Sequence, residues 1–208
     1  MPKDIERKIA VIFVTDVVGF SKSMERNEDE TLRSFRSCRD ILDNLFEEHG
    51  GRIFNTAGDS VLAEFQSAVS ALMCAKDFQK LIRERNENVS EDSVMRFRIG
   101  LNMGDVIVEG SNLYGDGVNV AARLEALSQF DGVCLSKSIM DFVHNKTDLG
   151  FHDLGEQKVK NTTVHAFDLT DPNLEKRSVD SEIVKDNEFS KAPSIAVLPF
   201  SNLSNDPE

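Results

Sequence analysis

The chain has 208 residues, 40% hydrophobic and 29% charged, a composition typical of a globular protein with one main core. Its net charge of −12 disfavours a nucleic-acid partner, because binding to a phosphate backbone depends on clustered Lys and Arg. No apolar run reaches the roughly 18 residues of a membrane span and the N-terminus lacks an apolar signal region, so we expect a cytoplasmic protein with no membrane segment.

The first predicted element is a strand over residues 8–15. Nearly all of its residues are apolar, which is typical of a strand buried on both faces. The strand ends at Asp16, and the chain then turns through Gly19 and Phe20. A helix that begins near Ser21 would direct its free N–H groups towards Asp16, where they could bind phosphate oxygens.

A helix and a hairpin follow. Residues 28–48 place apolar side chains at helical spacing and end at Gly50-Gly51, which predicts an amphipathic helix. Residues 52–65 then predict two short strands with a buried body, joined by a Gly58-Asp59 turn.

Asp59 would lie at the mouth of that hairpin. A lone Gly-Asp turn is usually structural, because both residues favour turns for backbone reasons. Asp16, however, also lies at the end of a strand. Two strand-end carboxylates suggest a metal site.

The middle of the chain predicts the remaining elements of a known fold. Residues 67–86 predict a second amphipathic helix. Residues 95–103 and 105–109 predict a strand pair around Gly104, with Asp105 as a turn residue. The order βαββαβ predicts an α+β fold with a ferredoxin-like core sheet.

A polar loop over residues 111–116 precedes a third predicted helix, residues 117–127. Asn119 and Arg123 are four positions apart on this helix, so both lie on one face. Taken alone, this pair is better explained as a solvated face with a salt bridge from Arg123 to Glu125 or Asp116.

The rest of the first 170 residues predicts added strands and helices. They are a strand at 133–136, a helix at 137–145 and a strand pair at 151–160 and 165–169, with Lys160 just before the last turn. The three cysteines are far apart among apolar residues, which indicates reduced thiols in a core: Cys38, Cys74 and Cys134.

The C-terminal region divides into two parts after a domain of residues 1–170. Residues 171–193 are charged and lack apolar periodicity, which predicts a linker. Residues 194–208 begin with a new apolar strand that either pairs with an edge of the main sheet or begins a further region. We expect the second, with the natural chain continuing beyond Glu208, because an isolated strand cannot bury itself.

Three motifs in this order resemble the catalytic domain of class III adenylyl and guanylyl cyclases. They are FVTDVVGFS at 13–21, NTAGDS at 55–60 and YGDGVNVAAR at 114–123, supported by LGEQKVKN at 154–161. The resemblance covers residues 8–170. The tail also resembles the segment that leads into helical-repeat regions in many bacterial cyclases.

The resemblance implies a two-metal reaction with Mg²⁺ or Mn²⁺, in which ATP is cyclised to 3′,5′-cyclic AMP and pyrophosphate. It implies that Asp16, Asp59 and the Val17 carbonyl bind the two cations. The same resemblance implies that Asn119 and Arg123 are catalytic, the first orienting the ribose and the second stabilising charge on the α-phosphoryl group. It implies that the substrate phosphates are bound by Gly19, Phe20 and Lys160.

The purine-reading positions depart from the family patterns. Adenylyl cyclases of the family often have Lys and Asp or Thr there, and guanylyl cyclases tend towards Glu and Cys, whereas this chain has Asn55 and Asn112. An Asn amide both donates and accepts, so it can meet adenine or guanine. We expect ATP, with GTP as the alternative.

The resemblance also implies a head-to-tail homodimer with two sites, each shared between the two chains. A catalytically weak nucleotide-binding regulatory domain is a further alternative, since Asn55 and Asn112 depart from the patterns. The retained Asp16 and Asp59 argue against it. A pure dimerisation module would bind no nucleoside triphosphate.

Overall fold

The computed structural model describes residues 5–159 and 162–177. Eight strands form one sheet: β1 Glu6–Val17, β2 Arg52–Ala57, β3 Ser60–Phe65, β4 Phe97–Glu109, β5 Asn112–Tyr114, β6 Val133–Ser136, β7 Phe151–Val159 and β8 Thr162–Leu169. The α-helices are α1 Phe20–Arg26, α2 Glu28–His49, α3 Ala68–Asn86, α4 Asp116–Leu127 and α5 Lys137–Val143, and a 3-10 helix spans Glu91–Ser93. None of the helices in these ranges is long and apolar enough to cross a membrane.

The strand order confirms the predicted fold class. Along the sheet the strands lie in the order β2-β3-β1-β4-β6-β8-β7, with β5 paired to β4. The first four are antiparallel neighbours, and with α2 and α3 they form the ferredoxin-like βαββαβ core. Strand β6 extends this core by pairing parallel to β4, and the β7–β8 hairpin completes the edge.

The sheet has a helical layer on each face. Helices α2 and α3 cover one face, where Phe13, Phe46 and Phe65 pack ring against ring. Helix α4 covers the other face, where Ile12 and Ala121 belong to a second buried cluster. Strand β1 therefore contributes apolar residues to both faces, which explains its nearly continuous apolar sequence.

The two long helices begin and end where their sequences predict. The Asn27 side chain accepts from the Glu30 N–H at the start of α2, and Gly50 closes that helix at φ 74°. The Ser67 hydroxyl oxygen accepts from the Ser70 N–H at the start of α3.

The predicted strand pair around Gly104 is wrong, because β4 runs through Gly104 without a turn. Another glycine of the same strand, Gly100, allows α4 to approach the sheet closely. A Cβ atom added at Gly100 would lie 2.2 Å from the Ala121 carbonyl oxygen. The prediction that Asp105 is a turn residue is also wrong, since Asp105 lies within β4 and forms an ion pair of 2.5 Å with Arg7.

Two further details differ from the prediction. Residues 111–116 include strand β5, which pairs with the end of β4. The body of the 52–65 hairpin is only partly buried, because β2 is an edge strand and Phe54 is its one buried residue. An edge strand has no neighbour on one side to cover it.

The three cysteines are reduced and buried, as predicted. Burial raises the pKa of the Cys38 thiol to about 11 and that of Cys74 to about 12. The pKa of Cys134 is also raised, for the same reason.

The C-terminal predictions fall largely outside the described residues. Residues 171–177, the beginning of the predicted linker, contact the domain through an ion pair between Arg83 and Asp171 and through hydrogen bonds of Arg177. Residues 178–193 and the predicted strand at 194–208 lie outside the described residues, as does Lys160.

Candidate active site

The fold brings Asp16 and Asp59 together. Asp16 is the next-to-last residue of strand β1, and Asp59 lies in the turn between β2 and β3. Strand β3 pairs with β1, with Val61 opposite Thr15, so the turn reaches the end of β1. There the Val17 N–H donates to Asp59 Oδ2 over 3.1 Å.

The electrostatics of this pair favour a bound cation. Burial raises the pKa of Asp59 to about 6, and the negative charge of Asp16 and a hydrogen bond shared with Asp16 act in the same direction. Two carboxylates this close repel each other when both are ionised. A proton or a cation relieves that repulsion.

Ser60 and Arg98 each contact one oxygen of the Asp16 carboxylate. The Ser60 hydroxyl donates to Asp16 Oδ1 over 2.6 Å, and Arg98 Nη2 lies 3.3 Å from Asp16 Oδ2. Arg98 is opposite Asp16 in the register of β4 and β1, which places both side chains on the same face of the sheet. The same guanidinium reaches helix α4, where its Nε lies 2.8 Å from Glu125 Oε1.

Glu125 adds a third carboxyl group to this network. Its residue is 8% exposed, and burial raises its pKa to about 7. The positive charge of Arg98 opposes this shift, and the charges of Asp16 and Asp59 add to it. Two of these three acidic side chains, Asp16 and Glu125, therefore share the Arg98 guanidinium.

The donor set fits hard divalent cations. Within residues 5–159 and 162–177, no three His, Cys, Asp or Glu side chains form a group that could bind a metal. Asp16 and Asp59 would thus supply two carboxylates, and backbone carbonyls, such as the predicted Val17, and substrate phosphates would complete the coordination. Oxygen ligands of this kind suit Mg²⁺ and Mn²⁺.

The predicted phosphate-binding residues Gly19 and Phe20 follow Asp16 in the chain, after Val17 and Val18. Gly19 precedes α1 with φ 71°, in the left-handed region, so α1 begins before the predicted Ser21. The Phe20 ring packs against Phe35 with a centroid distance of 5.2 Å. The side chain of Phe20 is therefore structural, and only its backbone could meet a phosphate.

Asn119 and Arg123 lie on α4, apart from the carboxylate pair. Asn119 is exposed, and the half-buried Arg123 donates a hydrogen bond from Nη1 to Thr162 Oγ1, at the first residue of β8. Among the described residues, no hydrogen bond or ion pair joins either side chain to Asp16 or Asp59. Among the described residues of one chain, the carboxylate pair and the α4 pair are therefore not joined by a direct polar contact.

The salt bridge considered for Arg123 is not formed with Glu125, which pairs with Arg98 instead. Arg98, Glu125 and Ser60 are the site residues that sequence reasoning missed. The alternation of Arg98 with Phe97 and Ile99 could have placed it on the face opposite those apolar residues.

The two predicted purine-reading residues each form one amide hydrogen bond in the structure. Asn55 is exposed on β2, and its Oδ1 accepts from the Thr56 N–H over 2.8 Å. A backbone N–H can only donate, so the Asn55 amide presents its NH₂ group outward. On β5, Asn112 Nδ2 donates to Tyr114 Oη over 3.3 Å, which leaves Asn112 Oδ1 as an acceptor.

The chain is similar to known nucleotide cyclases in sequence. A family model described as the adenylate and guanylate cyclase catalytic domain matches residues 1–170. "Putative adenylate cyclase 3" of Rhizobium meliloti (strain 1021) is 41% identical over 209 residues, 99% of this chain and 36% of that protein. An adenylate cyclase of Streptomyces coelicolor is 29% identical over 139 residues, 66% of this chain and 34% of that protein. The chain thus spans about a third of these curated relatives.

Solved structures show the same likeness. An adenylate/guanylate cyclase/hydrolase from Silicibacter pomeroyi is 36% identical, with a TM-score of 0.74 over 81% of this chain and 99% of that chain. The adenylyl cyclase CyaB from P. aeruginosa is 21% identical, with a TM-score of 0.70 over 81% of this chain and 96% of that chain. The guanylyl cyclase Cya2 has the same identity and TM-score over 79% of this chain and 93% of that chain. The last two matches concern the fold alone and do not distinguish the purine.

Proposed function

Because the chain belongs to the adenylate and guanylate cyclase catalytic domain family, as its motifs predict, we propose that it is the catalytic domain of an adenylate cyclase in signal transduction. It would convert ATP into 3′,5′-cyclic AMP and pyrophosphate. The observation that carries this proposal is the carboxylate pair Asp16 and Asp59, where the first two of the three motifs meet in the fold.

The reaction forms a bond between the ribose 3′-oxygen and the α-phosphorus and breaks the bond from that phosphorus to the β-phosphate oxygen. The 3′-hydroxyl loses its proton to solvent, and pyrophosphate leaves. Bound divalent cations would lower the pKa of that hydroxyl and offset charge on the phosphates. Asp16 and Asp59 would bind these cations, and Gly19 and Phe20 would meet phosphate oxygens through their backbone.

Other groups of the chain would bind and orient the nucleotide. Arg123 would offset charge that develops on the α-phosphoryl oxygens, and Asn119 would orient the ribose. Lys160 would bind the outer phosphates, as the family resemblance implies. Arg98 would limit the repulsion among Asp16, Asp59 and Glu125 before the cations bind.

The separation of the two groups of site residues supports a head-to-tail homodimer. Asp59 accepts from the Val17 N–H at the end of β1, next to Asp16, whereas Arg123 donates to Thr162 of β8. We propose that each active site combines the carboxylates of one chain with Asn119 and Arg123 of the other. A two-fold dimer would then contain two equivalent sites.

The amide orientations support ATP as the substrate. With its Oδ1 occupied, Asn55 offers a donor, like the Lys of adenylyl cyclases and unlike the acceptor Glu of guanylyl cyclases. Asn112 keeps a free acceptor oxygen, like the Asp of adenylyl cyclases. A donor beside adenine N1 and an acceptor beside its N6 amino group would complement adenine.

A direct assay tests the proposal. We expect the dimeric chain with Mn²⁺ to form cyclic AMP from ATP, and Asp59→Ala to abolish product formation because one metal carboxylate is lost. Arg39→Ala, which removes an exposed ion pair to Asp43 in α2, is the matched control and should retain activity. No cyclic product from ATP or GTP by the dimeric wild-type chain would refute the enzyme, and a higher kcat/KM for GTP would reverse the choice of purine.

The purine preference has its own test. Replacing Asn55 with Glu substitutes an acceptor for a donor, so we expect the kcat/KM ratio of ATP to GTP to fall by about tenfold or more. Replacing Asn55 with Lys preserves a donor and should leave ATP preferred. An unchanged ratio in Asn55→Glu would show that Asn55 does not read the base.

A further inference from the structure

The segment that follows β8, residues 171–177, is bound to three parts of the domain. Asp171 Oδ2 lies 2.6 Å from Arg83 Nη2 of helix α3. Gln129 Nε2, just beyond α4, donates to the Glu175 carbonyl over 3.1 Å. At the end of this segment, the Arg177 carbonyl oxygen lies 2.9 Å from His152 Nε2 of strand β7. The segment therefore follows the surface of the domain.

The Arg177 side chain joins a helix to a strand. Its Nε and Nη2 donate to the two carboxylate oxygens of Asp168 in β8, over 2.7 and 2.5 Å. Its Nη1 donates to the Leu127 carbonyl over 2.6 Å. We call this set of contacts the Arg177 bridge. The side chains of Arg177 and Asp168 are 26% and 14% exposed, so solvent weakens the bidentate ion pair only in part.

Leu127 is the last residue of α4, where helix carbonyls lack partners within the helix. A positive charge at this end also complements the helix dipole, yet the last turn of α4 has no basic residue of its own. Arg177 supplies both the hydrogen-bond donor and the charge from a distant part of the chain.

The bridge acts on the helix that carries the proposed catalytic residues. Helix α4 is joined to β8 at two points: Arg123 donates to Thr162 in the second half of the helix, and Leu127 at its end accepts from Arg177, which binds Asp168. Asp168 and Thr162 are both residues of β8. These two polar contacts add to the apolar packing of Leu124 and Leu127 against Leu154 of β7 and Ala166 of β8.

We propose that Arg177 is a positioning residue, which holds α4 in the orientation that Asn119 and Arg123 need and couples the chain leaving the domain to this helix. This inference rests on the proposed cyclase function. Displacement of residues 171–177 would release the end of α4 and reduce turnover without removing any group that contacts the nucleotide.

The test compares two anchors of the same segment. Arg177→Ala removes the anchor to α4, whereas Asp171→Asn weakens the anchor to α3 and leaves α4 untouched. With ATP and Mn²⁺, we expect Arg177→Ala to lower kcat about tenfold or more and to change KM by less than about twofold, because small displacements of reacting groups mainly slow the chemical step. Asp171→Asn should keep kcat within about twofold of wild type.

A conservative variant and hydrogen exchange complete the test. Arg177→Lys keeps the charge but cannot reach both Asp168 oxygens and the Leu127 carbonyl at once, so its kcat should lie between those of wild type and Arg177→Ala. Amide hydrogen exchange at the end of α4 should become faster in Arg177→Ala and remain unchanged in Asp171→Asn.

Two results would overturn the inference: equal losses of kcat in Arg177→Ala and Asp171→Asn, or unchanged exchange at the end of α4 in Arg177→Ala. A wild-type chain that forms no cyclic nucleotide would refute the proposed function instead. In that case the exchange measurement still decides whether Arg177 holds α4.

Discussion

Arg98 is the cationic side chain on which the charge balance of the carboxylate site depends. It lies within 3.3 Å of Asp16 and 2.8 Å of Glu125. Two of the three neighbouring acids have raised pKa values, about 6 for Asp59 and about 7 for Glu125, mainly because of burial. One guanidinium thus compensates only part of the negative charge, and the remainder favours protons or divalent cations at this place.

These raised pKa values predict how stability depends on pH. Unfolding returns both carboxyls to ordinary pKa values near 4, so from about pH 4 to pH 7 the folded chain binds more protons than the unfolded chain. The free energy of unfolding should therefore fall as pH rises through this window. For the buried Glu125, a shift from 4.5 to about 7 corresponds to at most about 3 kcal/mol.

Thermal unfolding in a metal chelator checks this. The wild-type Tm should fall between pH 5 and pH 8, and Glu125→Gln should show a smaller fall because its side chain does not ionise. Glu64→Gln is the control: partial burial of Glu64 is outweighed by its basic partners Lys8 and Arg52, so its pKa is lowered and its replacement should leave the fall in Tm between pH 5 and pH 8 unchanged. An equal pH dependence in wild type and Glu125→Gln would contradict the prediction.

At this scale the sequence indicated the acids but not their partners. Asp16 and Asp59 could be found because each lies at a strand end or turn beside an apolar run. Arg98 becomes a neighbour of Asp16 only through the register of β1 and β4. Glu125 reaches Arg98 only because α4 packs across β4, and neither register nor helix packing can be read from local patterns.

At the scale of elements, the contact between β4 and α4 determines where the proposed catalytic helix lies. A Cβ atom at Gly100 would lie 2.2 Å from both the Ala121 carbonyl oxygen and the Glu125 amide nitrogen. Both are backbone atoms of α4, so the helix would have to move. At Gly104 the nearest atoms would be 3.4 Å away, which is ordinary contact.

This difference gives a matched pair of substitutions. We expect Gly100→Ala to lower the free energy of unfolding by about 3 kcal/mol or more, because α4 must separate from β4. Gly104→Ala should change it by less than about 1 kcal/mol. Urea denaturation of the two variants measures both values, and a similar loss in both would show that α4 adjusts easily.

Gly104 explains the main error in the predicted elements. Lying between two apolar segments it resembles a turn, but it lies within β4 opposite Ala10 of β1, and this pairing of residues distant in sequence cannot be read from a local pattern. Helices α2 and α3 were predicted correctly because their apolar faces and end residues are local signals. The Asn27 cap is also local, but it was not predicted. Strand β5 was missed because its three residues are stabilised by pairing with β4.

At the scale of the whole molecule, a shared site predicts complementation between inactive variants. Asp59→Ala removes a metal carboxylate and Arg123→Ala removes the group proposed to stabilise the transition state, so each variant alone should be inactive. A mixture that exchanges subunits contains mixed dimers with one intact site. We expect about a quarter of wild-type activity, since about half of the dimers are mixed and each has one of two sites intact.

The control for this experiment mixes Asp59→Ala with Asp16→Ala. Both variants lose a residue of the same group, so no dimer contains an intact site and the mixture should be inactive. Recovery in the control, or no recovery in the first mixture after exchange of tagged subunits is established, would contradict a site shared between two chains.

The three buried cysteine thiols are natural probes of local unfolding in this domain. Cys38 and Cys74 belong to the core beneath α2 and α3, whereas Cys134 belongs to the separate cluster around Leu124 and Leu154. An alkylating reagent reaches a buried thiol only when the surrounding layer opens. Mass spectrometry of the alkylated cysteines could therefore follow the two sides of the sheet independently, and show whether release of α4 proceeds without disruption of the opposite layer.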